Sequence, residues 1–155
     1  MMTIRELIEE KNIFIDFEVK NKKDFFEKAA SVVVEQCSRF YRREEVLPLF
    51  LEREKTMSTG IGKRIAIPHI IYEKCQAPQL FIFSLCAPID FKALDSQPVE
   101  LIIMIVGPKT ESNLPYLQIL ARLSRMMKND AFVEKLLKSK SVEAIYNVLK
   151  EHEQR

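Results

Sequence analysis

Residues 99–106 read Val99-Glu100-Leu101-Ile102-Ile103-Met104-Ile105-Val106, and the last six are apolar at every position. A strand with one face in water alternates apolar and polar residues, whereas an unbroken apolar run is expected of a central strand covered on both faces. The same run is far too short to cross a bilayer, which takes about 20 residues. Arg64 to Pro68 and Leu80 to Leu85 are also strand-like, and Gln76-Ala77-Pro78 and Asp95-Ser96-Gln97-Pro98 punctuate the spaces between.

Helical patterns lie on either side of this middle. Thr3 and Glu6 have capping-box spacing ahead of Leu7 and Ile8, which predicts a short first helix. Ile13, Ile15, Phe17 and Val19 alternate with Phe14, Asp16 and Glu18, a strand pattern. Asn21 is then expected to cap a helix carrying Phe25, Phe26, Ala29, Val33, Cys37 and Phe40. A second helix is predicted over 43–55, starting late or kinked at Pro48. Toward the end, Asn113 caps a helix with Leu117, Leu120, Leu123 and Met127, Asn129 or Asp130 starts another, and Ser141 caps the last. Strands in the middle with helices before and after predict an α/β fold, a mixed β-sheet sandwiched between helix layers. No repeat, low-complexity tract or linker divides the chain, so residues 1–155 read as one domain.

Composition narrows the function. With 24 basic and 22 acidic residues interspersed, the net charge of +2 provides no field to hold nucleic acid or an anionic membrane. The N-terminus lacks the apolar core of a signal peptide. Cys37, Cys75 and Cys86 form no CxxC pair and leave an odd count, which suits a reducing, cytoplasmic setting. Only His69 and His152 are histidines, and no Cys or carboxylate cluster has metal-ligand spacing, so neither metal nor cofactor is expected. Gly62-Lys63 fails as a P-loop, because Met57 stands at the first glycine and Arg64 at the magnesium-binding hydroxyl. No G-x-S-x-G elbow is present. Arg122, Arg125 and Lys128 read as a solvated helix face.

Glycine is rare, at three in the chain, yet two fall in Ser58-Thr59-Gly60-Ile61-Gly62, just before Arg64-Ile65-Ala66-Ile67-Pro68-His69. Glycines let backbone N–H groups converge on a ligand. Pro68 is expected to stop the ladder and leave His69 at the strand's exit. An imidazole there can offer one nitrogen to a partner while a local acceptor holds the other. Arg53 and Glu54 end the helix leading into the same loop, and a guanidinium delivered there could clamp phosphoryl oxygens at two points. Thr59 reads either as a phosphoryl ligand or as a turn cap.

Arg53-Glu54, Ser58-Thr59-Gly60-Ile61-Gly62 and Ile65-Ala66-Ile67-Pro68-His69 resemble the signature of the fructose/mannitol-type IIA domains (EIIA type 2) of the phosphoenolpyruvate-dependent sugar phosphotransferase system. The resemblance continues through Pro88-Ile89-Asp90-Phe91, Leu94-Asp95-Ser96-Gln97-Pro98-Val99 and Leu117-Gln118-Ile119-Leu120-Ala121-Arg122-Leu123. It implies the mannitol-type IIA fold, a phosphohistidine at His69, Arg53 beside the phosphoryl group, and Thr59, Gly60 and Glu54 in support. The implied donor is the phosphocarrier HPr or its nitrogen-branch counterpart. As a lone domain without a transporter portion, the chain most resembles the nitrogen-regulatory PtsN members.

Two departures from the family pattern bear on the outcome. Ile70, followed by Ile71, stands where a small residue usually follows Pro-His, and the bulk could narrow access to the ring or leave a member that takes no phosphate. Tyr116 stands where several members carry a second histidine; a phenol can hydrogen-bond a phosphoryl oxygen but is no base at neutral pH. Three functions follow from the resemblance. The chain is a phosphocarrier, a phosphorylation-dependent module binding a kinase or transporter beside an apolar rim of Met57, Ile70 and Ile71, or a free-standing sugar-transport IIA protein serving a IIB domain.

Overall fold

The computed structural model describes residues 3–153, and its elements follow the order α1 (Ile4–Leu7), β1 (Ile8–Phe17), α2 (Lys22–Gln36), α3 (Arg43–Thr56), β2 (Gly60–Gly62), β3 (Ile65–Ala66), β4 (His69–Tyr72), β5 (Gln79–Ile89), β6 (Val99–Pro108), α4 (Leu114–Met126), α5 (Asp130–Lys138) and α6 (Val142–Glu153). The strands form one mixed sheet in the order β1-β5-β6-β3-β2, with β4 also paired to β6. β1 runs parallel to β5; β3 and β4 run parallel to β6, while β5–β6 and β2–β3 are antiparallel.

β6 is the frame, as its composition predicts. Leu101, Ile103 and Ile105 face a core shared with α1, α4, α5 and α6, whereas Ile102, Met104 and Val106 face a second core shared with α2 and α3. None of the six side chains is more than 1% exposed. Burial on that scale contributes about 1.5–3 kcal/mol per large side chain, enough to fix the register of whatever pairs with β6. The second core is aromatic. Phe83 lies 4.8–5.2 Å between ring centroids from Phe14, Phe17 and Phe25.

Several predicted boundaries shift for identifiable reasons. The alternation along β1 does not hold, because Asp16 adopts φ 52° at a register shift. Ile13 and Ile15 face one core while Phe14, Phe17 and Val19 face the other. α2 ends at Gln36, so Phe40 lies beyond it and is exposed. α3 runs through Pro48 from Arg43, because Pro48 is on the solvent face where the unpaired Glu44 carbonyl can bind water. α4 buries Tyr116, Ile119, Leu123 and Met126, which turns the predicted Leu117 outward. Asn113 precedes it in a left-handed conformation with no side-chain cap bond, whereas Thr3, Asn21, Asn129 and Ser141 cap as expected.

Candidate functional site

His69 is the first residue of β4, not the exit of the preceding strand. Pro68 interrupts β3 without ending the run of chain along β6: the Pro68 carbonyl accepts from Ile105 N at 2.9 Å, and His69 pairs with Ile105. The histidine is therefore fixed to the most deeply buried strand. Ile70, next along, is buried among the α2–α3 core residues. It forms no part of an exposed apolar rim, which corrects the expectation that it would. Met57 is exposed and Ile71 half-buried, as a rim requires.

The imidazole is half-buried and held at both nitrogens. Nδ1 lies 2.7 Å from the Ile67 carbonyl. A carbonyl only accepts, so Nδ1 carries the proton and Nε2 keeps its lone pair. Arg53, in the last turn of α3, donates from Nε toward Nε2 at 3.4 Å and from Nη1 to the Met57 carbonyl at 3.0 Å. Burial, reinforced by the nearby Arg53 charge, holds the imidazole below its usual pKa of 6.5, against the opposing effects of the Ile67 bond and Glu54. The ring is thus neutral at pH 7.

A pH dependence follows from the direction of that shift. Above pH 6.5 the folded and unfolded chains both hold a neutral ring, and the site adds no pH-dependent term to stability. As pH falls from 6.5 to the lower folded-state value, the unfolded chain takes up the proton first and stability declines, then levels. Imidazole proton shifts followed by NMR are expected to titrate His69 with a midpoint below 6.5; a midpoint above that value would contradict the geometry.

The loop before β3 is organised by Glu54. Its Oε1 accepts from Thr59 N at 3.0 Å and from the Thr59 hydroxyl, and its Oε2 lies 2.5 Å from Lys22 Nζ. Thr59 is 4% exposed with its hydroxyl committed to Glu54, so it caps the turn and does not point at a ligand. Gly60 is needed for close approach, since a Cβ there would come within 2.8 Å of the Ala93 Cβ. On the other side of His69 lies Tyr116, with ring centroids 6.2 Å apart. Tyr116 is packed so tightly over Gly107 that a Cβ at 107 would overlap its Cδ1. Burial pushes its phenol far above the usual value, so it stays protonated.

His69, Arg53 and Tyr116 therefore converge, with Glu54 and Thr59 one layer behind and Gly60 in the turn. Lys22 was missed from sequence. Its signal was a cation in the first turn of a helix, where the macrodipole disfavours positive charge unless a partner holds it. Chemically, a neutral nitrogen nucleophile beside a guanidinium fork suits transfer of a dianionic group. Among the described residues, no helix is long and apolar enough to cross a membrane.

Comparison with known proteins points the same way. Residues 6–152 match the family model for the phosphoenolpyruvate-dependent sugar phosphotransferase system, EIIA 2. The chain is 31% identical over 148 residues to the nitrogen regulatory protein of Bradyrhizobium diazoefficiens, covering 96% of this chain and 95% of that one. It is also similar to the crystal structure of nitrogen regulatory protein IIA-Ntr from Neisseria meningitidis, with TM-score 0.85 and 28% identity, covering 94% of this chain and 98% of that chain. The crystal structure of IIA mannitol from Escherichia coli shares the fold at TM-score 0.74 and 21% identity, over 92% of this chain and 98% of that chain.

Proposed function

From the membership of this chain in the EIIA 2 family of the phosphoenolpyruvate-dependent sugar phosphotransferase system, we propose that it is a phosphocarrier working through a phosphohistidine at His69. Residues 1–155 are taken as one such domain. The observation that carries this reading is the division of labour on the ring: Nδ1–H is spent on the Ile67 carbonyl, and Nε2 keeps its lone pair beside Arg53. In the transfer step Nε2 attacks phosphorus, the donor's N–P bond breaks, and the donor nitrogen keeps the electron pair. The Ile67 carbonyl steadies the positive charge that develops on the ring, and Arg53 turns from Nε2 to the equatorial oxygens. Thr59, Gly60 and Glu54 support the site by shaping the turn, and Tyr116, whose ring centroid is 6.2 Å from that of His69, is the proposed donor to a phosphoryl oxygen.

The donor is an HPr-like phosphocarrier, and the setting is the cytoplasm, where such donors and unpaired thiols coexist. Exposed Leu49, Met57, Leu114 and Leu117 give it an apolar surface on α3, α4 and the segment leaving α3. No metal or organic cofactor is required, since the phosphoryl group arrives on the donor. A second reading, a phosphorylation-dependent switch without onward transfer, is favoured by Tyr116: a protonated phenol cannot take a proton as a basic histidine would.

Incubation with phosphoenolpyruvate, enzyme I and HPr tests the shared step. The expected product carries one phosphoryl group, acid-labile and alkali-stable as phosphohistidine is; no label, or an acid-stable one, refutes the proposal. Adding a IIB domain then separates relay, in which label leaves the chain, from switch, in which it stays.

A further inference from the structure

A continuous line of polar contacts runs from the start of α2 to the reacting ring. Lys22 Nζ lies 2.5 Å from Glu54 Oε2, Glu54 Oε1 accepts from Thr59 N at 3.0 Å, the Thr59 carbonyl accepts from Ile67 N at 2.9 Å, and the Ile67 carbonyl takes the Nδ1 proton of His69 at 2.7 Å. Every member belongs to a different element or loop, so the line joins residue 67, already flanked by pairing to β6, to α3 and α2. We propose that Lys22 is a positioning residue of the phosphoryl site, holding the Glu54 side chain in place so that the Ile67 carbonyl keeps the imidazole in its Nδ1–H form; this rests on the phosphocarrier reading.

The ion pair is not a solvated surface contact. The Lys22 side chain is 23% exposed and that of Glu54 is 8% exposed. An exposed pair contributes little, whereas a carboxylate left alone in so dry a place either takes a proton or draws in water, and either response releases the Thr59 contacts. The ammonium is itself over-determined. It donates to the Phe91 carbonyl at 3.0 Å and lies 4.6 Å from the Phe91 ring centroid. The Ser58 hydroxyl donates to the same carbonyl at 2.6 Å, and Gly60 N donates to the Ser58 Oγ at 3.1 Å. Lys22 thus ties the start of the glycine turn, Ser58 to Gly60, to α2 by two routes. Neighbouring Lys23 points to solvent and makes none of these contacts. Partners one layer behind a reacting group commonly govern its orientation and change rates about 10- to 100-fold when removed.

The test uses the full chain and two readouts, the ¹⁵N shifts of the His69 ring and the rate of labelling by a phosphorylated HPr donor. Lys22→Met is expected to replace the single Nδ1–H tautomer with a mixture and to slow labelling about 10- to 100-fold. Lys22→Arg, which keeps the charge, restores both; Glu54→Gln reproduces the Lys22→Met mixture, and Lys23→Met changes neither. Retention of the single tautomer in both Lys22→Met and Glu54→Gln overturns the assignment, whatever the labelling rates. Because the ring shifts need no phosphoryl donor, they decide the role of Lys22 even if the wild-type chain takes no label, an outcome that would instead overturn the carrier function.

Discussion

His69→Ala will take no label from phosphoenolpyruvate, enzyme I and HPr under conditions in which the wild type is labelled to completion. The expectation is absolute because the chain holds only one other histidine, and His152 is on α6 with its ring 4.2 Å from that of Phe132, remote in the chain from the glycine turn and from Arg53. A surface imidazole without a guanidinium beside it and a carbonyl behind it has neither the fixed tautomer nor the charge stabilisation that transfer needs. The substitution removes the Ile67 hydrogen bond, the long Arg53 contact and part of a half-buried ring, so unfolding free energy should fall by only about 1–2 kcal/mol. Denaturant titration beside the labelling assay checks both halves. Residual label on His152, or label retained in the folded variant, would remove His69 from the mechanism.

Arg53→Ala should slow transfer about 10²- to 10³-fold, the range for losing one preorganised donor aimed at developing charge. Two features place the effect on the rate and not on the fold. The guanidinium is anchored at 3.0 Å to the carbonyl of exposed Met57, and its other polar contact among the described residues is the 3.4 Å approach to Nε2. Neither bond buries a group that would be left unsatisfied. Arg53→Lys should recover the charge but not the fork that grips two oxygens, and so should fall between the wild type and alanine. Rapid-quench measurement of a single turnover from phosphorylated HPr separates the three proteins. Transfer by Arg53→Ala within threefold of the wild type would show that the guanidinium is a bystander.

Much of the architecture could be read from residue patterns, and the errors have local causes. β6 was legible because a strand packed on both faces has no polar position to confuse its period. β1 was legible as a strand but wrong in phase, since one left-handed residue, Asp16, moves Phe17 to the opposite side. β4 was missed because Pro68 was taken as a stop; proline cannot donate to the ladder, yet its carbonyl still accepts from Ile105, and pairing resumes one residue later. On α4 only Leu117 misled: it is exposed, whereas Leu120, Leu123 and Met127 meet the core together with Tyr116. At the site, the Arg53–His69 approach was legible from the motif. The role of Thr59 was not decided by it, because turn cap and ligand use the same hydroxyl. Lys22 lies 32 residues before Glu54 in the chain and carries no motif, so only the fold reveals the pair.

The ring of Tyr116 packs directly against Gly107, and this couples the residue choices open to two positions nine apart in the chain. Any residue larger than glycine at 107 is closed to this lineage while an aromatic occupies 116, so the aromatic must first shrink or tilt before the strand can acquire a side chain there. A designer wishing to place a second imidazole opposite His69 inherits the same order of moves. The smaller ring comes first, and only then does the sheet have room to change.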